Sequence, residues 1–140
     1  MGTSALALAL FIAWTLCLLV LMEVVRSFLV ATGQVRSNTF RPDNTNLSPL
    51  MQRLARAHAN CVESLPWAGG LLLLAMASGQ QQLTDPLALW LVAARVLQSC
   101  AHLASLSVMA VNIRFTFFAL QMGIAAYWSW ALVAQGIRMA

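Results

Sequence analysis

Lysine is absent from this 140-residue chain; all eight basic residues are arginine. Arginine is always charged and carries a planar fork of donors suited to carboxylates, and a GC-rich genome would give the same bias. Charge of either sign is scarce. Charged residues make up 9% of the chain and hydrophobic ones 61%, whereas a soluble domain carries about 25% charged residues. That excludes an ordinary soluble domain and leaves a membrane protein, read as a single domain over 1–140. Acids are scarcer still, four in all, for a net charge of +4. The three cysteines, Cys17, Cys61 and Cys100, lie in apolar segments without C-x-x-C spacing. This argues against a disulfide framework or a zinc site and for small buried hydrophobes. No metal or haem motif is present, nothing points to nucleic acid, and no internal repeat or low-complexity segment occurs. No basic n-region and cleavage site precede the first apolar run, so the N-terminus reads as a retained anchor and not a signal peptide.

The apolar runs are what is there. Ala5 to Met22 holds a single polar residue, Thr15, and is long enough to span a bilayer. The spacing predicts helices over about 5–33, 49–78, 86–106 and 113–135, an all-α bundle of four transmembrane spans. Glu23 and Arg26 sit at i,i+3, where they can pair. Ser48-Pro49 and Asp85-Pro86 read as N-caps followed by proline, and Asn112 as the cap of the last helix. Pro66, inside the second helix, should kink it and free the Val62 carbonyl. Arg36, Arg41, Arg53 and Arg56 cluster around the first link, while the next link carries Asp85 and no base. The positive-inside rule therefore puts the first link in the cytoplasm and both termini outside it.

The second helix opens with a polar stripe. At about 100° per residue, Arg53, Arg56, Asn60, Glu63 and Trp67 fall within roughly 80° of one another, while His58 points away. A charge at bilayer depth costs about 2.5–3.5 kcal/mol, so the stripe must meet partner side chains or a polar ligand. Arg95, Gln98, Ser99 and His102 share a face of the third helix, and Arg114, Phe118 and Gln121 a face of the fourth. At about 1.5 Å per residue, Glu63 lies about 20 Å deep and Arg95 about 16 Å, close enough in level to pair. Arg56, Arg95 and Arg114 then outnumber Glu63, and the surplus calls for an anion. A small thiol peptide with two carboxylates and one amine fits well, and a fatty acid fits less specifically. The alternative is a structural network joining helices.

Arg56-Ala57-His58-Ala59-Asn60-Cys61-Val62-Glu63, followed by Pro66, resembles the motif of the membrane-associated proteins of eicosanoid and glutathione metabolism (MAPEG). That family includes the microsomal glutathione transferases, prostaglandin E synthase and leukotriene C synthase. Thr32-Gly33-Gln34-Val35-Arg36 is similar to the end of the first helix in the prostaglandin branch. Arg95-Val96, Ala101 and Arg114 extend the likeness over nearly the whole chain. The resemblance implies a homotrimer with glutathione, the co-substrate, bound between subunits and open to the cytoplasmic side. It further implies that Arg36, Arg56, Asn60, Glu63, Arg95 and His102 line the peptide site, and that the catalytic Arg114 lies near the sulfur. The chain departs from the family at His102, where tyrosine is common, and at Phe115 and Phe118, where the prostaglandin branch has serine and tyrosine. Its only tyrosine, Tyr127, falls roughly 140° from Arg114 and does not substitute.

The resulting expectation is a transferase of a bacterial inner membrane that conjugates or reduces small lipophilic electrophiles, with membrane lipids around it. A non-catalytic membrane protein binding a lipid or anionic ligand is the second reading.

Overall fold

The computed structural model describes residues 1–139 as four helices: α1 (Thr3–Ala31), α2 (Pro49–Ala77), α3 (Gln81–Ala104) and α4 (Val108–Met139). All four are long and apolar enough to cross a membrane. There is no strand among the described residues. At about 1.5 Å per residue each helix exceeds the roughly 30 Å hydrocarbon thickness of a bilayer. Direction alternates along the chain. The starts of α1 and α3 meet at one end, where Asp85 Oδ1 accepts from the Ser4 backbone N–H at 2.8 Å. The start of α2 meets the end of α3 at the other, where Arg53 Nε donates to the Leu103 carbonyl at 2.9 Å. Helices α1, α2 and α3 pack mutually; α4 lies against α3, touches α2 along a short stretch and does not reach α1.

Small residues set the spacing. Ala7, Ala57, Ala68, Ala88 and Ala94 are buried between helices around Phe11, Leu18, Leu72, Leu91 and Trp128. Without a hydrophobic drive between helices in lipid, close backbone approach is what holds a bundle. Gly69 shows it directly, since a Cβ there would lie 3.1 Å from Leu8 Cδ1 of α1 and 3.2 Å from Leu65 Cδ1. The buried Cys61 conforms to the small-hydrophobe reading, whereas Cys17 and Cys100 face outward.

The first link is an ordered strap. Gly33, at φ +70°, ends α1. Arg26 gathers the strap against α1, donating to Glu23 at 2.9 Å, to Asn44 Oδ1 through Nε at 3.1 Å and to the Arg41 carbonyl at 3.1 Å. Its guanidinium lies 5.3 Å from the Phe40 ring centroid. Asn44 is fully buried at φ 56° and donates to the Met51 carbonyl at 2.9 Å. Ser48 caps α2, as the sequence predicts, accepting from the Met51 N–H at 3.4 Å.

Two helix starts differ from expectation. Helix α3 begins at Gln81 and not at residue 86, with Pro86 inside it. Asp85 does not cap α3; its carboxylate caps α1 across the bundle, where the helix dipole favours an anion, and its neighbour Thr84 lies 2.7 Å from Ser4 Oγ. Helix α4 begins at Val108, capped by Ser107, whose Oγ accepts from the Ala110 N–H at 3.2 Å. Asn112 is therefore inside α4 and caps nothing. Pro66 is accommodated within a continuous α2.

Candidate functional site

Polar residues of α2, α3 and α4 converge at the end of the bundle that carries the strap. There Arg53, half-buried, bonds through Nε to the Leu103 carbonyl and satisfies a terminal carbonyl of α3, one of the groups a helix end leaves free. One turn on, Arg56 is exposed and has no partner among the described residues. His58, off the stripe, is half-buried.

Asn60 and Arg95 form the centre. Arg95 is 0% exposed, held by Nη1 against the Asn60 side-chain oxygen and, at 3.4 Å, against the Asn60 carbonyl. Its guanidinium also lies 5.5 Å from the Phe11 ring centroid. The expected Glu63–Arg95 pair is not formed. Glu63 sits on the outer face of α2, exposed, and the one ion pair among the described residues is Arg26–Glu23. The reason is rotation: Asn60 lies nearly a turn before Glu63 and faces α3, while Glu63 turns out of the bundle. Arg95 Nε and Nη2 are consequently buried without a partner.

Around this pair the network continues. Ser99 Oγ donates to the Arg95 carbonyl at 3.0 Å and lies 3.5 Å from Cys61 Sγ. Gln121 Nε2 donates to Gln98 Oε1 at 3.0 Å, joining α4 to α3. Their shared faces were visible as helical stripes; the Cys61–Ser99 contact had no sequence signal beyond a cysteine among apolar residues. At the rim, Arg114 Nη1 lies 2.9 Å from His102 Nδ1. A guanidinium only donates, so Nδ1 accepts and the imidazole carries its proton on Nε2. The structure thus brings together Asn60 with Arg95 and His102 with Arg114. It leaves Arg56 and Glu63 on the outside of α2 and Arg36 exposed on the strap. Phe115 is 66% exposed one residue past Arg114.

The MAPEG family profile matches residues 4–134. This chain belongs to the MAPEG family. Neither a curated protein nor a solved structure matches it. With four helices long and apolar enough to span, this MAPEG member is an integral, multi-pass membrane protein.

Proposed function

We propose that this MAPEG member is a glutathione-dependent transferase acting on small lipophilic electrophiles, assembled as a homotrimer with its site between subunits. The observation that carries the reading is the unneutralised charge. Arg95 has two buried N–H-bearing nitrogens without acceptors, and Arg56 and Glu63 stand exposed on a helix long and apolar enough to span. A charge facing lipid at the helix centre costs about 2.5–3.5 kcal/mol, which supports a neighbouring subunit covering both residues. A peptide with two carboxylates and one ammonium matches this donor set: carboxylates toward Arg56 and Arg36, the ammonium toward Glu63, and a further acceptor for Arg95. Asn60 holds Arg95 in place.

Glutathione, when bound, supplies a thiol whose sulfur forms a C–S bond to the electrophile as the leaving group takes its electron pair and the thiol proton passes to water. Arg114 is the cation for that sulfur. A nearby positive charge favours a thiolate over a thiol, and the bond to His102 orients the guanidinium. The cytoplasmic side for the strap, and the other side for both termini, is part of the same proposal and rests on the arginine asymmetry.

Isothermal titration of glutathione into the purified protein, followed by a conjugation assay on the same sample, tests it. Saturable heat and turnover are expected; absence of both would sink the reading. Heat without turnover would favour the second reading, a binding protein without chemistry. Phe115 and Phe118 favour that one, because neither can donate a proton or a hydrogen bond to the sulfur.

A further inference from the structure

Around Arg114 the described residues supply positive charge but no group that gives up a proton at neutral pH. Arg114 is half-buried at the rim, and a guanidinium stabilises a negative charge without releasing its own proton. His102 is no acid there either. Its Nδ1 accepts from Arg114 Nη1 at 2.9 Å, so the ring is neutral; Nε2–H can make a hydrogen bond, but losing that proton would leave an imidazolate. Phe115 and Phe118, on the turn after Arg114, carry rings without a donor. Hydroxyls in this stretch are committed to their own helices: Ser99 Oγ donates to the Arg95 carbonyl at 3.0 Å and Thr116 Oγ1 to the Asn112 carbonyl at 2.9 Å.

The rest of the chain adds little, and a second copy related by an axis along the membrane normal brings the same groups at the same depths. There is no lysine and a single tyrosine. Tyr127 lies about 20 Å beyond Arg114 along α4 and roughly 140° round it. Cys61 is buried, and Cys17 and Cys100 face outward. Of the four acids, Glu23 holds Arg26, Asp43 accepts from Thr45 and Asp85 from Ser4, which leaves Glu63 for the peptide ammonium. We propose that this site selects electrophiles whose leaving group departs as a weakly basic anion, alkyl halides above all, and is slow on epoxides and hydroperoxides; this rests on the transferase reading above. With a halide, the sulfur electron pair forms the C–S bond while the carbon–halogen pair leaves on the halide ion, which Arg114 receives with no proton needed. An epoxide opens so that the C–O pair ends on an alkoxide. With a hydroperoxide, sulfur takes the distal oxygen as a sulfenic acid and the O–O pair again ends on an alkoxide; a second glutathione then gives the disulfide and water. Each alkoxide is strongly basic and calls for a proton as it forms. General acid catalysis typically contributes about 10²–10⁴-fold, and these substrates forgo it here.

Three electrophiles of similar size test it, in protein reconstituted into lipid nanodiscs with glutathione: benzyl chloride, styrene oxide and cumene hydroperoxide. Each rate is divided by the uncatalysed rate at the same pH, which removes intrinsic reactivity from the comparison. Benzyl chloride should be accelerated about tenfold or more beyond either oxygen electrophile. Phe118→Tyr places a phenol on the face of Arg114 one turn on. It should raise the ratio of styrene oxide to benzyl chloride turnover about tenfold or more, by supplying the missing acid. Equal acceleration of all three electrophiles would overturn the proposal and leave the transferase reading standing. An active Phe118→Tyr protein with the parent's ratio would overturn it too, because the missing proton would then not be what sets the preference. Absence of turnover with benzyl chloride as well as the other two would remove the transferase reading itself, and this specificity with it.

Discussion

Arg114 and Glu63 separate chemistry from binding. If Arg114 stabilises the thiolate, its contribution goes to rate more than to affinity. A cation beside a thiol lowers its pKa by about one to two units, each worth about 1.4 kcal/mol. Arg114→Ala should therefore leave glutathione affinity within a few-fold and cut conjugation by about tenfold or more at neutral pH. The rate should recover at high pH, where solvent supplies the deprotonation, and in part with Arg114→Lys, a point charge without the fork. An alanine variant with full activity at neutral pH would show that Arg114 only anchors α4 to His102. Glu63, exposed and without an ion-pair partner among the described residues, should matter to the ligand and not to the fold of the subunit. Glu63→Gln is expected to weaken glutathione binding while the melting temperature of the dissociated chain stays put. Asn60→Leu should lower that melting temperature, because Arg95 would lose its side-chain acceptor inside the bundle. Hydrogen bonds to charged groups contribute about 1.5–3 kcal/mol, and a melting temperature indistinguishable from the parent would contradict that role.

Helix faces carry most of what the sequence could convey, and helix ends the least. The stripes on α2, α3 and α4 were legible because side chains at three- and four-residue spacing share a face. Glu23–Arg26 and the Ser48 cap were legible for the same local reason. The partner of Arg95 was not. Depth allowed Glu63, but the choice between Asn60 and Glu63 depends on how α2 is rotated against α3, which follows from the buried Ala57, Cys61, Ser64 and Ala68 packing as a unit. The starts of α3 and α4 lie earlier than the sequence predicts, because Asp85 and Asn112 have the character of local caps. Asp85 is committed instead to Ser4, far away in sequence, a pairing that only the tertiary fold creates. The strap is the element with the clearest single dependence. Arg26 ties Glu23, Arg41 and Asn44 together, so Arg26→Ala should free it. Limited proteolysis between Ser37 and Asn46 is expected to speed up in that variant while α-helical circular dichroism is retained; unchanged cleavage would mean that Asn44 and its bond to Met51 suffice.

At the scale of the whole molecule, two asymmetries are left: charge across the membrane and charge across the bundle. The arginines around the strap favour the cytoplasmic side. Single cysteines at Asn38 and Gln81, in a background lacking Cys17, Cys61 and Cys100, should label from opposite faces of the membrane, Asn38 from the cytoplasm. Labelling of both from one face would contradict that topology. Across the bundle, Arg56 and Glu63 face outward, and in the proposed assembly another subunit meets them there with glutathione between. Native mass spectrometry in mild detergent with glutathione present measures this in one spectrum. A trimer that carries glutathione, and loses it in Arg56→Ala, is the expected result. A dominant monomer that still holds glutathione would contradict it.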